Sequence, residues 1–309
     1  MKPIFPSKPF PSKAQIREAA ELLRRGELVV FPTETVYGLG AHALDAFAVE
    51  KIFVAKGRPH TSPLIVHVAS VEAAQALVAE WPEAAQKLAE RFWPGPLTLV
   101  LPKRAIVPDV VTAGFGTVGI RVPRHPVALE LIREAGIPVA APSANLFMRL
   151  SPTAREHVSL AGVMVLEGGD SEVGIESTVV SLAGAARLLR PGAVSRDELE
   201  EVIGPVAFGD AQKGEAPGLH PRHYQPRTPL VWAAADLPSG PGAYLFRERE
   251  RAAARVVHMP SDPAAYAAHL YRTLHELDHH GLQWIALERL PHEAAWTAVQ
   301  DRLDRAVRY

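Results

Sequence analysis

Lys56 and Arg58 flank a single glycine, Arg121 stands alone in an apolar run, and Arg190 precedes Pro191-Gly192. Each cation lies at or beside the end of a strand or helix, where a side chain can face a ligand. Upstream, Thr33, Glu34 and Thr35 follow an apolar run that Pro32 closes. Hydroxyls, cations and exposed backbone N–H groups therefore converge within about 40 residues, which is what an anion site requires. Two readings stay open. Lys56 and Arg58 could hold an anion, or merely cap the carbonyl end of the preceding helix. Arg121 is costly inside an apolar strand unless paired. It could pair with Glu34 or Glu176, or grip a substrate carboxylate with both arms of its fork.

Periodicity predicts the elements that position these groups. Leu28 to Phe31 reads as a buried strand ended by Pro32, and the carboxyl end of such a strand is where open α/β sheets bind ligands. Gly38 and Gly40 would turn the backbone tightly. A helical pattern with Phe47, Ile52 and Phe53 on one face then delivers Lys56-Gly57-Arg58, and a strand from Leu64 to Val68 completes a βαβ unit. Before it, Ser12 to Arg25 is a helix with a Ser12–Gln15 capping box, an Ile16, Ala19, Ala20, Leu23 face and Gly26 as its stop.

After it come helices over 70–80 and 82–92, a strand over 97–101, a loop over 102–116 and a strand over 117–122. A helix over 126–135 and a strand over 137–141 follow, and Ala141-Pro142-Ser143-Ala144-Asn145 is small enough to let a ligand approach the backbone. Ser151-Pro152 is expected to cap and start another helix. Strands over 163–166 and 179–182 and a helix over 195–203 complete the first domain. Residues 205–228 are rich in glycine, proline and charge, as a linker is. His220, Arg222, His223 and Tyr224 are unusual in a spacer, and suggest either a lid touching an anion or a plain ordered loop. Four short strands and two helices beyond it predict a smaller α/β domain. The expected division is 1–204, a linker or lid at 205–228, and 229–309.

Composition narrows the function. The 309 residues are 48% hydrophobic and 22% charged, with a net charge of −1, so no global basic field favours nonspecific nucleic-acid binding. Cysteine is absent, which removes disulfides, thiolate ligands and thiol nucleophiles. No apolar run approaches the ~18 residues of a membrane span. The proline-rich start MKPIFPSKPFPSK has no apolar signal core, and reads as a surface tail of a cytoplasmic protein. Walker A, G-x-G-x-x-G and G-x-S-x-G motifs are all missing. His275-Glu276-Leu277-Asp278-His279 matches the zinc-hydrolase helix H-E-x-x-H, but Asp278 lies inside it and only His292 and Glu293 offer a third ligand. A solvated helix face is the better reading there. Proline within His220-Pro221-Arg222-His223 likewise disfavours a helix that would bring two histidines onto one metal.

Taken together, the chain resembles the L-threonylcarbamoyladenylate synthases, in the longer form with a YrdC-like domain and a C-terminal extension. The resemblance rests on FPTETVYGLGA (31–41), KIFVAKGRP (51–59), PLIVHV (63–68), FWPGPLTLVLP (92–102), TVGIRVPRHPVA (117–128), PVAAPSANL (138–146), SPTA (151–154), GIESTVV (174–180), LLRPG (188–192) and PGLHPRHYQP (217–226). It implies a twisted mixed-sheet α/β domain followed by a smaller Rossmann-like α/β domain. It implies an enzyme that joins L-threonine, bicarbonate and ATP into threonylcarbamoyl-AMP with release of pyrophosphate, for tRNA modification beside the anticodon. Thr35, His67, Arg121, Ala141 and Ser177 would hold threonine. Arg58, Ser62, Thr117, Ser143, Ser151, Arg190 and Tyr224 would hold ATP, with Lys56 against the phosphates or the carbamate. Lys56, Arg58 and Arg121 would carry catalysis. Magnesium would accompany ATP, with no tightly bound prosthetic group and no protein-held metal. The product would pass to a tRNA threonylcarbamoyl transferase, with direct tRNA binding weak or absent and no membrane contact. The alternatives are a non-enzymatic RNA-binding module and a zinc hydrolase using His275 and His279. The chain departs from the family's usual pattern at Thr61-Ser62, where Asp and Asn are common. It departs again at Phe147-Met148, where Ser-Gly is common.

Overall fold

The computed structural model describes residues 10–209 and 222–307. Residues 1–9 of the expected tail and 210–221 of the expected linker or lid, His220 included, lie outside the described residues. Helix α1 (Lys13–Arg24) starts with the predicted reciprocal Ser12–Gln15 cap and buries Ile16, Ala19, Ala20 and Leu23. Strands β1 (Val29–Phe31) and β2 (Gly38–His42) form an antiparallel hairpin. Gly38 and Gly40 are thus strand residues rather than turn residues. A Cβ on Gly40 would lie 2.8 Å from the Phe31 ring and 2.9 Å from Val139, so the glycine lets the strand pass beneath them. Helix α2 (Ala46–Lys56) begins on Asp45 and stops at left-handed Gly57. Its buried arc is Ala48, Val49, Ile52 and Phe53. Phe47 was expected on that arc but is 87% exposed, because a 3.6-residue period carries it outside the stripe that starts one residue later.

The first domain continues with β3 (Ile65–His67), α3 (Val71–Gln75), α4 (Glu83–Phe92), β4 (Leu97–Pro102), α5 (Asp109–Thr112), β5 (Thr117–Arg121) and α6 (Pro126–Ala135). It ends with β6 (Val139–Ala140), β7 (Met164–Val165), β8 (Thr178–Ser181), β9 (Arg187–Arg190), α7 (Arg196–Ile203) and β10 (Ala207–Phe208). Helix α3 is shorter than predicted, and the expected loop at 102–116 contains α5. Among the described residues the strands form one mixed sheet in the order β10-β9-β8-β4-β5-β3-β6-β2-β1-β7. Strand β1 runs antiparallel to β3, so the expected unit forms instead from β2, α2 and β3, with β6 inserted between the two parallel strands. Side chains alternate across the sheet: Val30 joins the core beneath α2, α4 and α7, whereas Val29 and Phe31 join the core beneath α1 and α6. No α-helix follows Ser151-Pro152; a single 3₁₀ turn spans Arg155–His157. The Ser151 hydroxyl donates to Glu176 at 2.5 Å and is not free to cap.

The smaller domain matches its sequence pattern closely. Strands β11 (Leu230–Trp232), β12 (Gly242–Phe246), β13 (Arg255–His258) and β14 (Trp284–Leu287) pair in parallel in the order β11-β14-β12-β13, with α8 (Pro263–Asp278) and α9 (Thr297–Ala306). Its core is not closed on itself. Val36, Leu150, Ile175 and Tyr224 pack among Leu270, Tyr271, Leu274 and Leu303 of α8 and α9. Gly174 sits at this seam with φ of +73°, and a Cβ there would meet the Ala268 Cα at 2.5 Å and the Ala267 carbonyl at 2.6 Å. Backbone cannot yield as a flexible side chain can, so Gly174→Ala should cost about 2–4 kcal/mol through strain and a forced shift of α8. Gly57 shares the left-handed conformation but meets nothing within 4 Å. Gly57→Ala should therefore cost only about 1 kcal/mol. Thermal unfolding of the two variants checks this, and equal melting temperatures would refute it.

Candidate active site

The site is built where strand ends bring charges side by side. Strands β3 and β5 are parallel neighbours in a register that sets His67 beside Arg121. The segment between β1 and β2 folds over them. Its Thr33 hydroxyl donates to the Val36 carbonyl at 2.6 Å and accepts from the Thr35 and Val36 amides at 3.2 Å, which holds Thr35 in place. Past Gly57, Arg58 turns inward while Lys56 points to the Ser143–Asn145 backbone. From the other side, β9 delivers Arg190 onto the turn before β8: its Nε donates to the Ser177 carbonyl at 3.0 Å and an Nη to the Ser177 hydroxyl at 3.2 Å.

These residues line a narrow cleft, with about 50 Å³ of room inside it. Of the residues singled out from the sequence, Thr35, Arg58, His67, Arg121, Ala141, Ser143, Ser177, Arg190 and Tyr224 line it. Lys56, Ser62, Thr117 and Ser151 do not. Lys56 Nζ donates to the Ser143 carbonyl at 2.5 Å and also to that of Asn145, so it fixes the loop that carries Ser143. Ser62 accepts from an Arg58 Nη at 2.5 Å and orients that guanidinium. Thr117 lines a smaller adjoining cavity that shares Leu64 and Ile65 with the cleft. Ser151 is buried behind Glu176. His223 and Glu176, which had no assigned ligand, join the lining.

Arg121 is paired, as one of its two readings expects, and the partner is Glu34. Its Nη2 lies 2.7 Å from Glu34 Oε1, Nε donates to the Gly95 carbonyl at 3.0 Å, and Nη1 donates to Thr35 Oγ1 at 2.9 Å. Nε and Nη1 each make one hydrogen bond and Nη2 faces Glu34 as an ion pair, so the five-donor guanidinium is not exhausted. Burial and the Arg121 charge push His67 down to about 3, so its ring is neutral at physiological pH. Its Nδ1 is buried without a hydrogen-bond partner among the described residues, as is the Tyr224 hydroxyl. Tyr224 also sits at φ of +61°, a strained position for a residue with a Cβ, and burial pushes its phenol up to about 12. Burial lowers Arg58 to about 10 with the nearby Arg190 adding to the effect, and drives Lys56 well below the ordinary lysine value. A dry cleft crowded with cations is prepared for an anion.

The segment that departs from the family pattern is the seat of the loop after the linker. Met148 takes φ of +69°, where a glycine would be unstrained, and its carbonyl accepts from Gln225 N at 2.9 Å. Phe147 meets the His223 ring edge-on at 5.9 Å. The H-E-x-x-H histidines do not converge on a point. His275 stacks on His157 at 4.0 Å and bonds the Ser151 carbonyl at 3.1 Å, while Asp278 accepts from the Arg227 and Thr228 amides.

Several buried histidines are held neutral by desolvation: His67 and His157 are both pushed to about 3, and His125 and His275 are lowered from 6.5. Between pH 3 and 6.5 the unfolded chain binds more protons than the folded one. Stability is therefore full above about pH 6.5 and lost as the pH falls below it. At pH 5 His67 alone should remove about 2 kcal/mol. Melting temperatures should be level from pH 8 to 7 and fall toward pH 5; a level profile down to pH 5 would contradict this assignment.

Two family models cover nearly the whole chain. One described as "Telomere recombination" matches residues 21–192, and one described as "Threonylcarbamoyl-AMP synthase, C-terminal domain" matches residues 194–307. A threonylcarbamoyl-AMP synthase of Pyrococcus abyssi is 40% identical over 96% of this chain and 94% of its own length. One from Bacillus subtilis is 41% identical over 94% and 92%. The crystal structure of P. abyssi Sua5 complexed with L-threonine superposes with a TM-score of 0.88, at 38% identity and 96% coverage of both chains.

Proposed function

The chain belongs to the threonylcarbamoyl-AMP synthase family, and from that premise we propose that its cleft condenses L-threonine, bicarbonate and ATP into threonylcarbamoyl-AMP with release of pyrophosphate. The observation that carries this reading is the convergence of Arg58, Arg121 and Arg190 on one cleft with a neutral His67 and the Thr35 hydroxyl. The reaction must bring several anions together, so positioned cations and N–H groups supply most of the catalysis and no protein nucleophile is needed.

Arg121 receives the threonine carboxylate on N–H groups not committed to Gly95 and Thr35. Thr35, His67 and Ser177 offer polar contacts, and Ala141 bounds the side chain. A neutral His67 can accept from threonine without repelling its amine. The free amine attacks the bicarbonate carbon, water leaves, and a carbamate oxygen then displaces pyrophosphate from the α-phosphorus of ATP. Arg58, Arg190 and Tyr224 hold the nucleotide together with Ser143. Lys56, Ser62 and Ser151 act one step back, by fixing Ser143, Arg58 and Glu176. Thr117 reaches ATP only through the adjoining cavity. Magnesium would accompany ATP as a counter-charge to its phosphates; both oxygens of the cleft's Glu176 are already engaged, by Ser151, Tyr271 and Arg302. The product goes to a transferase that modifies tRNA in the cytoplasm. No helix among the described residues is long and apolar enough to cross a membrane.

Pyrophosphate release should require ATP, threonine and bicarbonate together. Arg121→Ala should lower threonine-dependent release by about 100-fold or more, as for the loss of a group that anchors the reacting substrate. Release that is independent of threonine and bicarbonate would reduce the chain to an ATPase and overturn the reading. Full turnover by the variant would remove Arg121 from its role.

A further inference from the structure

Arg302 is the largest side chain in the described structure to be wholly buried, and it belongs to α9 of the smaller domain. Its Nε donates to Glu176 Oε2 at 2.8 Å, one Nη to the Glu176 carbonyl at 3.2 Å and the other to Asp301 at 2.8 Å. The guanidinium also lies over the Tyr224 ring, 5.5 Å from its centre. One turn later, the Arg305 carbonyl accepts from the His223 amide at 3.1 Å. Helix α9 therefore touches both Glu176 and the His223-Tyr224 pair, three residues that line the cleft.

Glu176 is the one carboxylate among those lining residues. Left uncompensated, it would repel the phosphates and the threonine carboxylate that the cleft is built to receive. It also anchors Ser151 through Oε1 and leads directly into Ser177, which Arg190 grips from the larger domain. Burial works against the Arg302 charge, and the Glu176 and Asp301 carboxylates beside it favour the ionised guanidinium.

We propose that Arg302 is a positioning residue of the active site: it neutralises Glu176 and fixes the Glu176-Ser177 turn and Tyr224, making the smaller domain a wall of the cleft. The proposal deepens the synthase reading and rests on it. A residue that only docked two domains would affect stability, whereas this one governs how well the cleft accepts an anion.

The test is steady-state pyrophosphate release by the full chain and by R302M, E176Q and the double variant E176Q/R302M, with unfolding curves for each. R302M should raise the KM for ATP by about tenfold or more, because a buried carboxylate is left facing the phosphates. The double variant removes both charges and should return that KM to within about threefold of the parent. The proposal is overturned if R302M stays within about twofold of the parent, or if the double variant is as impaired as R302M. Should R302M fail to fold, R302K replaces it. Its ammonium cannot bridge the Glu176 carboxylate and carbonyl, so it should raise the KM by about threefold or more; an unchanged KM overturns the proposal. If the parent releases no threonine-dependent pyrophosphate, the synthase reading fails on its own. The same comparison is then made by calorimetry with ATP, where a tenfold weaker Kd for R302M, restored in the double variant, supports the proposal and equal values refute it.

Discussion

A cleft that binds anions away from water must keep its cations charged while they are dry, and this constraint orders the structure. Moving an unpaired guanidinium out of water costs several kcal/mol, so each buried arginine needs a partner that does not cancel its use. Arg121 meets the requirement with Glu34, itself held by the Arg124 amide at 3.0 Å, and still lines the cleft. Arg190 donates to the Ser177 carbonyl and hydroxyl. Arg58 leans on neutral oxygens of Ser62 and Pro63. Carbonyls and hydroxyls thus orient much of this cationic wall, with Glu34 set behind it.

The fold supplies that orientation cheaply. Parallel pairing of β3 with β5 puts His67 beside Arg121 without any loop ordering. The cap at Gly57 sends two neighbouring cations in different directions, one to the Ser143 loop and one to the cleft. Desolvation then does the chemical tuning. It keeps His67 neutral beside a charged arginine, and it leaves the Tyr224 hydroxyl and His67 Nδ1 without partners, two polar groups that a ligand would satisfy.

Most of the site was legible in the sequence because its residues lie in short, chemically distinctive runs at element ends. The smaller domain was legible too, since a parallel sheet leaves four clean apolar runs. What failed did so for tertiary reasons. Glycine in Gly38-Leu39-Gly40 signalled a turn, but served to pass a strand under Phe31. Ser151-Pro152 carried a helix-start signal that Glu176 overrode by taking the hydroxyl. Lys56 looked like a ligand group, and in the structure its ammonium secures a backbone loop. Local pattern cannot report which of several polar partners a long side chain reaches.

Arg302 is the instructive omission. In the sequence it sits in Val299-Gln300-Asp301-Arg302-Leu303, an ordinary amphipathic helix whose charges suggest solvent. Yet Val299, Leu303 and Ala306 define the buried stripe, and Arg302 falls on it three residues after Val299. An arginine on the apolar stripe of a surface-type helix demands counter-charge, and Glu176 supplies it from across the seam alongside Asp301 of the same helix. The seam itself is specified residue by residue: Gly174 permits the approach of α8, His275 stacks on His157, and Tyr271 donates to Glu176 at 3.2 Å. Each of these contacts converges on the stretch from Ser151 to Ser177, the part of the first domain that closes the cleft. A core shared between two domains, with a guanidinium at its centre, couples the position of one sheet to the electrostatics of the other. Such a body has no passive appendage, because loosening the smaller domain leaves Glu176 unneutralised in the wall of an anion site.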